Sequence, residues 1–350
     1  MQIPRQMKAL LLVTMLAACW AAPAGAAMQR LERIPVGGSD YVRAGEWAEE
    51  SGLNMVWRKN EGALDLTNAA LRIHLETDSH YARKAQIGGV PVWLSLPVIQ
   101  RGGVPMISLV DVQTTLQPLL APRQSRARVQ TICLDPGHGG SDKGEVAGDS
   151  YEKKYNLLLA LAVERILKDE GFKVVLTRRT DVFVELSERP VIATKAGADL
   201  FVSLHYNSAA GRAHGVEVHC LPPAGMKSSN AGGGAGNEPA YAGNAEDGRN
   251  ILLAYQVLRS IAGSLPLEVI GVKREHYKVL REVRVPAILV EGGFMTDEED
   301  ARRIYDADFR QRMARAIVNG IVAYKKAVED TAPPGTPARL PDRATPPPGT

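Results

Sequence analysis

The sequence predicts an α/β protein: a mostly parallel, twisted sheet flanked by helices, preceded by a small α+β domain. Three observations predict it. Between residues 129 and 328, short apolar runs alternate with segments whose apolar residues recur at helical spacing. A length of 350 residues, at about 150 residues per domain, suggests two domains. An apolar fraction of 45% is enough for ordinary cores and excludes global disorder.

Taken in order, residues 1–27 read as an export signal. Arg5 and Lys8 form its positive end, and Ala9–Ala18 is an apolar run too short to span a bilayer. Two cleavage points compete. Ala24-Gly25-Ala26 has the small-residue pattern of a signal peptidase site, whereas LAAC at 16–19 looks like a lipobox, which would place a lipid anchor on Cys19. Either cleavage sends the protein out of the cytoplasm, to the periplasm or cell envelope.

Residues 28–124 are the small α+β domain, with Gly-Gly pairs at 37–38, 88–89 and 102–103. Segments 41–57 and 106–120 each read as short strand, helix and apolar ending, with strand-like Ala69–Leu75 and Val90–Leu96 between them. Ala121–Arg128, with Pro122 and three Arg, is the expected linker.

Residues 127–328 carry the α/β rhythm. Strands are expected at Val129–Leu134, Phe172–Leu176, Leu200–Leu204, Val216–Leu221 and Ala287–Val290. Helices are expected at Glu152–Asp169, stopped by Gly171, and from a Ser187 cap to Lys195, with Pro190 tolerated in the first turn. Two more are expected at Ala245–Ser264 and Phe309–Tyr324. Residues 224–244, containing NAGGGAGNEPAYAGN, read as a flexible loop. Residues 331–350 are Pro-rich and polar, cannot bury a core, and are expected to be disordered.

A net charge of +3 without a long basic run gives no general field for nucleic acid. Three Cys exclude a disulfide framework and a four-cysteine zinc module. Cys133 and Cys220 fall on predicted strands and are expected as buried free thiols.

Three strands end in ionisable residues: His138 in LDPGHGG, His205, and Glu291. Sites in open α/β sheets form where strand C-terminal ends meet. Parallel strands therefore bring these groups to one edge, and Glu152, in the first turn of its helix, faces the same edge. Two imidazoles and one carboxylate can hold one Zn²⁺ and leave a fourth position for water, whose pKa the ion lowers to roughly 7. A second carboxylate is then needed to move the proton. The glycines of 137–140 let His138 point back at the ion. Asp135 is expected to hydrogen-bond a ligand histidine. Asn207, after the second His, and His276, in a loop near the site, are candidates for substrate contact or support. On spacing alone, the two histidines could also be satisfied strand-end residues.

LDPGHGGSDKG at 134–144, YEKKYNLLLA at 151–160, SLHYNSA at 203–209 and PAILVEGGFMTDEED at 286–300 resemble the successive motifs of zinc-dependent N-acetylmuramoyl-L-alanine amidases of the amidase-3 type. TRRTDVFVELSER at 177–189 and GVKREHYKVLR at 271–281 also match, in order, so the resemblance covers roughly 129–328. It implies one zinc bound by His138, Glu152 and His205, with Glu291 as the catalytic carboxylate. It also implies a peptidoglycan substrate, cut between the lactyl group of N-acetylmuramic acid and L-Ala. Thr194 stands where the family usually has Asn, which puts a local hydrogen bond in doubt. Some family members block the zinc with a regulatory helix; the corresponding 224–250 segment here is short and Gly-rich, and self-blocking is not expected. A zinc carboxypeptidase or endopeptidase acting on stem peptides, or a non-catalytic wall-binding protein, are the competing readings. Residues 28–124 are similar in pattern to copper-amine-oxidase N-terminal-like domains. That implies no copper, since no His/Cys cluster is present, and leaves a protein activator or wall contact, or a mere structural cap, as the role of these residues.

Overall fold

The computed structural model describes residues 31–79, 82–125 and 128–329. The expected export signal with Cys19, the Pro-rich tail and His80 lie outside these residues. None of the described helices is long and apolar enough to cross a membrane.

The first half is antiparallel. Strands β1 (Ile34–Val36), β2 (Ser39–Arg43), β8 (Ile99–Arg101) and β9 (Val104–Ser108) form a four-stranded sheet in the order β1-β2-β9-β8. Helix α1 (Ala44–Glu50) buries Trp47 beneath it. Strands β3 (Asn54–Arg58), β4 (Ala63–Thr67), β5 (Arg72–Glu76), β6 (Lys84–Ile87) and β7 (Val90–Trp93) form a meander. A helical segment, 109–120, leads to the second half.

The second half follows the expected rhythm. Its strands are β10 (Thr131–Pro136), the β11–β12 ribbon (Val146–Ala147, Ser150–Tyr151), β13 (Lys173–Leu176), β14 (Leu200–Asn207), β15 (Val216–Cys220), β16 (Val269–Arg274) and β17 (Ala287–Phe294). Its helices are α2 (Glu152–Asp169), α3 (Glu188–Lys195), α4 (Asp247–Ser264), α5 (Lys278–Glu282), α6 (Glu298–Tyr305) and α7 (Ala307–Val328). Strands β10, β13, β14 and β17 pair in parallel, as do β15 and β16; β15 against β17 and the β11–β12 ribbon are antiparallel.

The two halves share one sheet. Its order is β13-β10-β14-β17-β15-β16-β7-β6-β5-β4-β3, and Val272 of β16 pairs with Val92 of β7. Strand β16 would otherwise be an open edge, and β7 covers it. A single apolar core runs across the junction, with Val92 and Leu116 on one side and Val218, Leu253 and Ile317 on the other. Tyr255 Oη donates to Ile87 O at 3.2 Å. The buried Arg274 guanidinium donates to Leu221 O at 3.0 Å, Thr114 O at 2.8 Å and Thr115 Oγ1 at 2.8 Å.

Three local expectations are revised. Ser187 does not cap α3 through its side chain; it already has helical dihedrals. Strand β16 escaped the sequence reading because Lys273 and Arg274 look like solvated residues, whereas both are paired inside. The 224–244 loop forms neither strand nor long helix before its 3₁₀ turn at Ala242–Glu246, but it is tied down. Gly234 N donates to Ser95 O at 2.9 Å, Arg83 Nη1 donates to Gly232 O, and Asn230 N donates to Glu275 Oε1 at 2.8 Å.

Candidate metal centre

Strand β10 delivers His138 through a tight turn. His138 has φ +59, an unusual conformation for a side chain other than glycine. Two buried arginines hold this backbone. Arg178 donates to Pro136 O at 3.0 Å and Gly137 O at 2.8 Å; Arg189 donates to Pro136 O at 3.0 Å and His138 O at 3.1 Å. A Cβ on Gly137 would come within 2.0 Å of the His205 ring, so only glycine permits the approach.

Glu152 begins α2 and is buried. Its Oε1 lies 2.9 Å from His205 Nδ1, and its Oε2 lies 3.0 Å from His138 Nε2. Asn156 Nδ2, one turn on, donates to Glu152 Oε1 at 2.9 Å. The ligand atoms of His138, Glu152 and His205 all lie within 4.8 Å of one another. Burial alone would raise the Glu152 carboxyl, but hydrogen bonds and charge from His138 and His205 outweigh it, and its pKa sits far below the ordinary range. The donor set fits a divalent ion of zinc type: two imidazoles, and a carboxylate held ionised inside the protein.

Glu291 lies on β17 directly beside His205 in register, and across β15 it faces Glu217. It is buried, lines the cleft, and its Oε2 has no hydrogen-bond partner. Burial, with the nearby Glu152 and Glu217 carboxylates, pushes its pKa well above the usual value. The cleft encloses about 710 Å³ and contains His138, Glu152, His205 and Glu291 together.

The supporting residues differ in part from expectation. Asp135 does not touch a ligand histidine. It lines the cleft and by strand register shares the face of His205, but it sits one pleat back, where its carboxylate accepts from Thr177 Oγ1 at 2.7 Å, Arg189 Nη1 at 2.8 Å and Ser203 Oγ at 2.7 Å. Asp142 takes that place, with Oδ2 at 2.8 Å from His138 Nδ1. The signal for it was its position four residues after His138 in the same glycine turn. Asn207 lines the cleft, and its Nδ2 donates to Glu217 Oε1 at 2.7 Å. His276 is held by Ser228 Oγ at 3.0 Å and packs against Tyr241; its neighbours Tyr277 and Lys278 line the cleft instead. Cys133 and Cys220 are buried and free. In the 224–250 segment, Glu238 accepts from Tyr241 Oη at 2.9 Å and Glu246 pairs with Arg249 at 3.3 Å; neither lines the cleft.

The chain is similar to several known proteins. YqiI, an uncharacterized protein of Bacillus subtilis, is 33% identical over 218 residues, 62% of this chain and 95% of that protein. The N-acetylmuramoyl-L-alanine amidase AmiA of Escherichia coli is 33% identical over 219 residues, 56% of this chain and 76% of AmiA. LytC of Bacillus subtilis, also named an N-acetylmuramoyl-L-alanine amidase, is 31% identical, but the match spans only 35% of its length. Among solved structures, the catalytic domain of CwlV from Bacillus (Paenibacillus) polymyxa is 31% identical, with a TM-score of 0.47, over 57% of this chain and 99% of that one. Residues 132–323 match the model of one family, Amidase_3, described as N-acetylmuramoyl-L-alanine amidase. With that match over more than half its length, the chain belongs to the Amidase_3 family.

Proposed function

We propose that this protein is a zinc-dependent N-acetylmuramoyl-L-alanine amidase acting on peptidoglycan outside the cytoplasm. It hydrolyses the amide between the lactyl group of N-acetylmuramic acid and L-Ala of the stem peptide. The observation that carries this reading is the convergence of His138, Glu152 and His205, with the buried Glu291 on the neighbouring strand in register with His205. We assign residues 127–328 to the catalytic unit. Residues 28–124 are a candidate contact for the wall or a protein activator, and Cys19 is a candidate lipid anchor.

His138 and His205 would supply the nitrogen ligands and Glu152 the carboxylate. Zinc held there supplies an acidified water and a polarised lactyl carbonyl. Asp142 fixes the His138 ring so that Nε2 faces Glu152. Glu291 takes the proton of the attacking water and gives it to the L-Ala nitrogen as the C–N bond breaks. Burial, which raises its pKa, makes Glu291 the stronger base, as the first half of this role requires.

The test is mass analysis of a muropeptide digest with and without a chelator. Free L-Ala amino ends on released peptides support the reading; cuts confined to the stem peptide would replace it with a peptidase. Glu291→Ala is expected to keep its zinc and lose about 10³-fold in kcat. Retained turnover in that variant removes Glu291 from the proton-transfer role.

A further inference from the structure

The segment after β13 leaves three large apolar side chains exposed among the exposed Arg179, Asp181 and Glu185, while Val184 is buried. Phe183 is 46% exposed and Leu186 51%, and Val182 beside them is also exposed. Phe183 and Leu186 both line the cleft that holds the metal ligands. The segment is built to present them. Asp181 Oδ1 accepts from Gly140 N at 2.8 Å and Oδ2 from Lys153 Nζ at 2.7 Å. Arg189 donates to Val184 O through Nε at 3.2 Å and Nη2 at 3.0 Å. Clustered, anchored apolar surface at the mouth of a cleft marks a contact made with a ligand.

Charge selects the occupant. In the strand order, β13 and β10 lie on one side of β14 and β17, and β15 and β16 on the other. The β13 side brings Phe183 and Leu186 to the cleft together with Asp142, Glu145 and Glu185. The β16 side brings Lys278, whose side chain is 40% exposed and meets Glu282 only at 4.0 Å. Stem peptides carry free carboxylates; the sugars of the glycan backbone present uncharged C–H faces and N-acetyl methyl groups. An apolar wall with added negative charge disfavours the peptide and suits the sugars. We propose that Phe183 and Leu186 form the platform on which the uncharged faces of the glycan strand lie, leaving the stem peptide to run toward Lys278. This inference rests on the amidase reading and assigns direction to the substrate within the same cleft.

The probe is a soluble uncharged glycan, an N-acetylglucosamine oligomer, titrated calorimetrically into the full chain. The Phe183→Ala/Leu186→Ala variant is expected to bind it about tenfold more weakly than the unaltered protein, as for a desolvated anchor pair. Phe183→Tyr, which keeps the ring, is expected to restore most of the binding when Leu186 is intact. On peptidoglycan, the double variant is expected to lose more in KM than in kcat. Equal glycan binding by the double variant and the unaltered protein overturns the proposal. So does failure of an active preparation to bind the glycan. An equal loss of binding to the sugar-free stem peptide overturns it too, since the platform would then serve the peptide. A preparation that leaves the muramoyl amide uncut fails the amidase reading itself, which the digest detects separately.

Discussion

Asp142 decides which nitrogen of His138 faces the site. With its carboxylate 2.8 Å from Nδ1, it holds the ring so that Nε2 meets Glu152 at 3.0 Å. Support of this kind is commonly worth 10- to 100-fold, roughly, in metal affinity. Asp142→Ala is therefore expected to weaken zinc binding by about that factor, measured by competition with a chromogenic chelator. An unchanged affinity would show that the ring is oriented by its backbone alone. The convergence itself was legible because His138, His205 and Glu291 each follow an apolar strand and Glu152 opens a helix. The supports were not. Asp135 shares the His205 face, but Thr177, Arg189 and Ser203 take up its carboxylate, whereas a turn closed by hydrogen bonds brings Asp142 back to the ring. His276 was misjudged because adjacent loop residues point to different sides. Tyr277 and Lys278 line the cleft, whereas His276 is taken up by Ser228.

At the scale of elements, the parallel pairing of β10, β14 and β17 sets the site, since it aligns three strand ends at one edge. A register irregularity between His205 and Asn207 lets β14 turn its end into the cleft. Helix α2 was readable to the residue: its apolar positions keep one face and Gly171 ends it. Strand β16 was not readable, because its charged residues are paired across strands. Glu217 on β15 meets Lys273 Nζ of β16 at 2.6 Å and His219 Nε2 at 3.1 Å. Burial would raise the Glu217 carboxyl, but His219 and Lys273 outweigh burial and bring its pKa down to about 2. In the unfolded chain the value is about 4.3. A depressed folded pKa gives stability that is present above the unfolded value and lost as pH falls through the folded one. The stability advantage of the unaltered protein over Glu217→Gln is therefore expected to hold at pH 6 and shrink between about pH 4 and pH 2. Urea melts at several pH values measure it; a difference independent of pH would contradict the assignment.

For the whole molecule, the junction of the two halves is the feature that composition concealed. The sequence shows a change of pattern and a Pro- and Arg-containing linker, which suggest separate bodies. The structure instead runs β7 alongside β16, seals one core across both halves, and buries Arg274 against the 109–120 segment. Such long-range pairing leaves no local signature, because neither partner strand is unusual by itself. A protease site inserted between residues 121 and 128 and then cut is expected to leave both pieces eluting together on gel filtration. Separation of the pieces without denaturant would show that the shared sheet does not hold them. Truncation before residue 128 is expected to expose the β16 edge and lower solubility.

The proposed chemistry depends on His138, Glu152 and His205 sharing one zinc ion with Glu291 beside it. Anomalous diffraction at the zinc edge, from crystals of the zinc-loaded protein, tests it most directly. One strong peak is expected within bonding distance of those three side chains, on the side facing the Glu291 carboxylate. A peak held by other residues, or none at this cluster in crystals of active protein, would contradict it.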